Sequence, residues 1–267
     1  MIDNKKIVIC IPAGRQRYLE VLIKFLEKEF DIIDEVRFWL NTKNESDRKY
    51  IYDLSNKNSK YTIDTTAFGD PNEGQSHTIG LFFKNCIDED TIYIRFDDDI
   101  VFLEKNFIRD LVTFRINNPE YYLVLGNIVN NCVSDYQHKQ KGALKTELNI
   151  EEKAPCDTNW PNSDLAIQKH LQFFEHLKNN RLDLYKFENK KWNHHYSVNA
   201  ICWMGSEFKK TNGYVVYGDE EIFLTSGKNN IIFGEKVCCH YSFFITRDKI
   251  DENTQILNEY KLLSETY

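Results

Sequence analysis

Three consecutive carboxylates, Asp97, Asp98 and Asp99, close the alternating run Thr91 to Phe96 (TIYIRF), and apolar residues resume at Ile100. Adjacent carboxylates repel one another, so a folded chain tolerates them best where water or a cation screens them. At the carboxyl end of a strand in an α/β sheet they would sit at the crevice where ligands bind. Hard cations such as Mg²⁺ and Mn²⁺ take oxygen ligands, commonly one or two carboxylates plus substrate phosphates. The pattern therefore predicts a strand-end metal site that holds a nucleotide diphosphate. The plainer alternative is a solvated acidic turn.

The elements that would position such a site can be read along the chain. Lys6 to Ile11 (KIVICI) predicts a strand buried on both faces, broken at Pro12-Ala13-Gly14-Arg15. Tyr18, Leu19, Leu22, Phe25 and Leu26 then fall at helical spacing, and Val36 to Leu40 is the next strand, stopped by polar residues from Asn41 to Asp47. Strand, helix and strand in that order form the βαβ unit of a parallel sheet. A third strand is expected over Tyr61 to Phe68, a turn over Gly69 to Gly74 and a short helix over Thr78 to Asn85. After the aspartates come a helix over Glu104 to Asn117 and a strand over Tyr121 to Val129. Asn130 to Thr158 is polar and reads as a long loop. Asn162-Ser163-Asp164 caps a helix bearing Ile167, Leu171, Phe174 and Leu177, and a last helix over Ile250 to Leu263 puts Ile256, Leu257, Tyr260 and Leu263 on one face. No repeat or linker divides the chain, so a single domain is expected.

Composition narrows the function classes. A chain of 267 residues has room for a sizeable core. A net charge of −7 argues against a binder of nucleic-acid backbones, which would carry a basic patch. No run of about 18 apolar residues occurs, so no transmembrane segment is expected and any membrane contact would be peripheral; the last helix could make it, but its apolar face is expected to pack on its own domain. The opening MIDNKKIVIC has no signal-peptide core and enters a strand at once, which predicts a cytoplasmic protein. The seven cysteines show no CxxC spacing and read as reduced thiols, and Cys238-Cys239-His240 lacks the second pair that a structural zinc site needs.

From Ser197 the chain runs SVNAICWMGSEFKKTNGYVVYGDEEIFL, and His240 follows in EKVCCHYSFF. This resembles the second half of a family 2-type glycosyltransferase of the GT-A fold. There a phrase of the type Ser-x-Phe-x-x-x-Gly-Gly-Phe and then Gly-Glu-Asp precede a helix and a late histidine. Ser206, Phe208, Gly213 and Tyr214 fill the first phrase, with Asn212 in place of the first glycine, and Gly218-Asp219-Glu220 fills the second. In the first half KIVICIPAGR resembles the first strand and nucleotide loop, LNTKNESD the turn that cradles the base, and FDDD the DxD element. The chain departs from the pattern in Asp219-Glu220-Glu221, in the missing arginine of the following helix, and in SHTIGLFFKN before the aspartates.

The resemblance implies a GT-A-like (Rossmann-like) single α/β domain with a central, mostly parallel sheet flanked by helices. Residues 1–102 would form the nucleotide-binding half, 103–249 the acceptor and catalytic half, and 250–267 a C-terminal helix. It implies an inverting transferase that uses Mn²⁺ or Mg²⁺ and a nucleotide-sugar donor, a UDP-sugar by family habit, with a glycan acceptor. Asp97, Asp99 and His240 would hold the metal, although His240 could equally be a core histidine. Pro12, Ala13, Gly14, Arg15, Asn41, Asn44, Arg95, Asp97 and Asp98 would meet the nucleotide, although Arg15 reads more readily as a surface charge, Asn41 and Asn44 equally as turn formers, and Arg95 equally as the partner of a carboxylate. Glu220, then Asp219, then Glu221 are the candidates for general base, and the same three also suit the acidic first turn of a helix. Trp203 and Trp192 are candidate acceptor platforms, each equally a core tryptophan. A nucleotidyltransferase, or a binding module without catalysis, would use the same carboxylates and cation.

Overall fold

β1 (Lys6–Ala13) lies inside the sheet, paired in parallel with β2 (Glu35–Leu40) on one side and β4 (Thr91–Phe96) on the other. Ile7 to Ile11 are fully buried, which is why the sequence here is a continuous apolar run and not an alternation. α1 (Gln16–Glu27) carries the chain from β1 to β2, and α2 (Glu45–Lys57) from β2 to β3 (Tyr61–Asp64), giving the parallel array β3-β2-β1-β4. The computed structural model describes residues 1–267.

Beyond β4 the sheet becomes mixed. β8 (Ala200–Met204) runs antiparallel to β4, and then come β6 (Val124–Val129), β9 (Asn230–His240) and β5 (Ile100–Leu103). β7 (Lys190–Trp192) adds to β9. β1, β2, β3, β4, β6 and β9 all point one way, and β5, β7 and β8 the other. The expected α/β domain with a central sheet flanked by helices is what folds.

Only the three aspartates separate β4 from β5, yet the two strands stand four positions apart in the sheet. Four flat spacings would be about 19 Å, whereas the four residue steps from Phe96 to Ile100 reach at most about 14 Å. The sheet therefore curls, so that the paired ends of β5 and β9 come back over the end of β4. Gly234, Glu235 and Lys236 slip out of register between Phe233 and Val237, an irregularity of the kind that increases local bend and twist. The curl carries His240, the last residue of β9, to the aspartates.

Several boundaries differ from expectation for physical reasons. The third strand ends at Asp64, and the segment before β4 forms 3₁₀ turns over Ser76–Asn85. α3 (Phe107–Asn117) starts late because Asn106 is left-handed at φ 62°. The polar stretch from Asn130 is not all loop: α4 (Cys132–Gln140) starts there, capped by Asn131. Its buried face includes Ser134, Asp135 and His138, so it shows no apolar stripe to read. α5 (Ser163–Lys178) is capped by Asn162 as expected. After α6 (Gly205–Lys209) the turn holds Asn212 and Gly213 at φ 51° and 67°, and a Cβ on Gly213 would stand 2.4 Å from the Lys84 Cα. Asparagine tolerates the left-handed region, so Asn212 is an effective stand-in for glycine at this place.

α7 (Glu220–Thr225) leads toward β9, and the C-terminal segment is two helices, α8 (Arg247–Glu252) and α9 (Thr254–Thr266), which meet at Asn253. Ile256 and Tyr260 of α9 are buried, and α9 packs on α1 and α5, so this face covers its own domain and is not free to dock on a membrane. No helix is long and apolar enough to cross a membrane. All seven cysteines are free and buried.

A buried polar knot supports the β6 and β9 exits. Lys169 pairs with Asp135 at 2.7 Å, donates to the Asn130 Oδ1 at 3.1 Å and also reaches Asn159. Asn130, left-handed at φ 65°, donates its side-chain N–H to the Tyr241 carbonyl. Removing one partner of a buried ion pair leaves an uncompensated charge and costs about 3–5 kcal/mol. Lys169→Met should lower the unfolding free energy by that order in urea titrations, and an unchanged midpoint would show that the knot carries no such charge pair.

Candidate functional site

The carboxyl ends of β1, β4, β6 and β9 and the amino end of β8 open on one edge of the sheet, where α/β folds bind ligands. A cavity of about 560 Å³ lies there, lined by residues from the exits of β1, β2, β4 and β9 and from the segment before β8, including Asp97, Asp98, Asp99 and His240, together with Glu220. Asp97 accepts from the Arg95 Nη2 at 2.7 Å and from the Asn199 Nδ2 at 2.9 Å. Asp98 turns the other way. It accepts from the Gly14 backbone N–H and the Arg15 Nε, each at 2.9 Å, and so pins the turn between β1 and α1.

Asp99 is 1% exposed, and neither of its oxygens receives a hydrogen bond. Its neighbours are cationic or can become so: the Arg15 Nη1 at 3.0 Å, the His240 Nε2 at 3.4 Å and the Arg247 Nη2 at 4.0 Å. Burial alone would raise this carboxyl, but Arg15, His240 and Arg247 outweigh it and hold Asp99 below the usual range. His240 faces the Asn130 carbonyl with Nδ1 at 3.3 Å, which leaves Nε2 on the Asp99 side.

One donor atom from each of Asp97, Asp99 and His240 lies within 4.8 Å of the others. Two carboxylates and an imidazole, with one carboxylate buried and lacking hydrogen bonds, fit a divalent cation of the Mn²⁺ type. Arg15 and Arg247 crowd the same Asp99, so a cation would share that carboxylate with guanidinium groups.

The three acidic residues at the start of α7 do three different things. Asp219 is the helix cap and accepts from the Ile222 N–H at 3.4 Å. Glu221 meets the His195 Nε2 at 3.1 Å and accepts from the Val198 N–H at 3.3 Å, which ties down the chain before β8. Glu220 is buried, with its Oε1 3.6 Å from the Arg95 Nη1. Burial pushes Glu220 up to about 7; Arg95 opposes the rise while Glu221 and Asp97 add to it. Glu220 is thus both an acidic residue of the first helical turn and a buried carboxyl that titrates near neutrality.

Other expected residues are placed as follows. Pro12 and Gly14 line the cavity, whereas Ala13 is buried beneath it. Asn41 is committed to the turn after β3: its Oδ1 accepts from the Gly74 N–H and the Thr78 hydroxyl, and its Nδ2 donates to the Gln75 carbonyl. Asn44 is the cap of α2 and is not among the cavity residues, so the expectation of a base contact from it is corrected. Trp203 is fully buried, stacked on Tyr93 at 5.6 Å and packed against Phe83 and Phe208, and has no face to offer an acceptor. Trp192 is buried at the end of β7, with its indole N–H on the His195 carbonyl, and is also outside the cavity. Asn199 and Arg247 carry no functional signal in the sequence. Neither belongs to an acidic or glycine motif, and only the sheet pairing and the start of α8 bring them to Asp97 and Asp99.

Glu220 makes stability depend on pH in a stated direction. With its pKa raised from 4.5 to about 7, the folded protein binds the extra proton between those values. Its contribution to stability therefore falls as pH rises through that window. The unfolding free energy of wild type relative to Glu220→Gln should decline from about pH 4.5 to about pH 7, and a flat difference would refute the raised pKa.

No protein-family model matches the sequence, and no curated protein sequence matches it. Among solved structures, 4-diphosphocytidyl-2C-methyl-D-erythritol synthase from Anaerococcus prevotii is similar, with 12% identity, a TM-score of 0.46, and coverage of 96% of this chain and 98% of that one.

Proposed function

We propose that this chain is a metal-dependent, inverting glycosyltransferase that moves a sugar from a nucleotide-diphosphate donor, a UDP-sugar by the sequence resemblance, to a hydroxyl of a glycan. The observation that carries the reading is Glu220, a buried carboxylate poised near neutrality on the same cavity as Asp97, Asp99 and His240. Residues 1–102 supply the nucleotide side and 103–249 the base and His240.

Asp97, Asp99 and His240 would hold Mn²⁺ or Mg²⁺, and such a cation stabilises negative charge on a leaving diphosphate. Arg95 keeps Asp97 and Glu220 apart in charge and orients both. Arg15 and Arg247 have buried N–H groups without hydrogen-bond partners, suited to phosphate oxygens once a donor enters. Glu220 accepts the proton of the acceptor hydroxyl. That oxygen then forms the new bond to the anomeric carbon as the bond to the diphosphate breaks on the opposite face, so configuration inverts. Asp219 and Glu221, held as cap and tie, are second and third choices for the base.

The test is a panel of sugar nucleotides assayed for transfer or hydrolysis with Mn²⁺ and with a chelator. Release of UDP that requires the cation is expected. Release of pyrophosphate from a nucleoside triphosphate would point to a nucleotidyltransferase instead, and neither turnover nor stabilisation by any nucleotide would end the enzyme reading. Glu220→Gln should lower turnover about 10²–10⁴-fold while UDP still binds. The rate should rise with pH through about 7 in wild type, as Glu220 loses its proton, and that limb should vanish in the variant. Asp99→Asn should abolish Mn²⁺-dependent UDP binding in calorimetry, and unchanged affinity would remove Asp99 from the metal site.

A further inference from the structure

One wall of the cavity is unlike the rest. Most of the lining is charged or polar, but the exit of β9 and the segment before α5 contribute Trp160, Phe243 and Phe244. Their rings form a continuous edge-to-face series that begins at the metal-site histidine. The centroids are 5.0 Å apart from His240 to Phe243, 6.5 Å from Phe243 to Trp160, and 5.5 Å from Trp160 to Phe244. Phe243 is anchored below with Cys132 and Cys156, with Trp160 packed against that cluster, so the inner end of the series is rigid.

The outer end is left open: Phe244 is 70% exposed at the cavity mouth. Single exposed rings are ordinary on a surface. This one continues a packed series that starts at His240, and it gives an otherwise polar cavity one apolar wall.

Resting on the nucleotide-sugar reading above, we propose that Trp160 and Phe244 form the acceptor platform and that the acceptor residue seated there is a pyranose. The site asks two things of its occupant. Glu220 needs a hydroxyl to deprotonate, and the aromatic edge needs an apolar face to cover. A pyranose supplies both, with axial C–H groups on one face and hydroxyls around its rim.

A nucleobase could also cover an aromatic ring, but the polar side of the cavity is placed to meet it. Asn41 and Thr42 stand at the exit of β2, and Gln75 in the turn after β3. The aspartates lie between the two walls: Asp98 is bonded to Gly14 at the β1 exit, while Asp99 faces His240 at the β9 exit. A donor with its base by Thr42 and Gln75 and its diphosphate at the aspartates leaves the aromatic wall to the acceptor.

The experiment is saturation-transfer NMR on the whole protein with UDP, Mg²⁺ and a panel of methyl pyranosides, which carry no aromatic aglycone of their own. In wild type at least one methyl pyranoside should be saturated, most strongly on its axial hydrogens. An aromatic contact of about 0.5–1.5 kcal/mol corresponds to a loss of about two- to tenfold in affinity. The pyranoside signal should fall by that order in Phe244→Ala and in Phe244→Leu, which keeps an apolar side chain without a ring, and should persist in Phe244→Trp. The UDP signal should be the same in all four proteins. Equal pyranoside signals in every variant, or saturated UDP with no pyranoside saturated in wild type, would overturn the proposal. A UDP signal that falls in Phe244→Ala would assign the ring to the nucleobase and overturn it as well. Unsaturated UDP in wild type would instead bring down the nucleotide reading on which the platform rests.

Discussion

The reach of the chain between β4 and β5 is the constraint on which the rest depends. Three aspartates are too short to cross a flat sheet, so the sheet must bend to meet them. The bend brings the exits of β1, β4 and β9 to one place. The carboxylates are thus themselves the link that draws the two halves of the fold together, and lengthening that link would relax the curl and the site at once.

Packing six carboxylates around one cavity would be untenable without fixed countercharge. The chain answers by alternating signs. Arg95 stands between Asp97 and Glu220, and Arg15 between Asp98 and Asp99, with His240 and Arg247 closing the far side. This arrangement splits the carboxylates by environment. Asp99, surrounded by cations, stays ionised, while Glu220, with a single guanidinium at 3.6 Å and two acidic neighbours, is pushed toward neutrality. Two acids in one cavity are thereby prepared for different protonation states, the usual mark of a division of labour.

How much of this was legible in the sequence depended on how local the signal was. KIVICI read as a doubly covered strand because continuous apolar runs have that one cheap solution, and the aspartates stood out because they end such a run. Asp97, Asp99 and His240 converge although about 140 residues separate them, and it was the order of several motifs that linked them, not any spacing. Asn199 and Arg247 gave no signal, since their importance comes from strand pairing and a helix start far along the chain. Trp203 and Trp192 show the converse: a residue type suited to stacking says nothing about which side of the sheet it will face. α4 was unreadable because its inner face is held by hydrogen bonds and an ion pair, which leave no hydrophobic period.

The seven buried cysteines have a practical consequence. Burial pushes the thiols of Cys132 and Cys202 up to about 12, and those of Cys10, Cys238 and Cys239 are raised as well, so little thiolate is present at neutral pH. Alkylating reagents attack the thiolate and need access to it. These five thiols are accordingly protected in the native chain, and their modification records an opening event. With cysteines in β1, β8 and β9 and at the start of α4, the chain carries its own set of markers for which layer opens first.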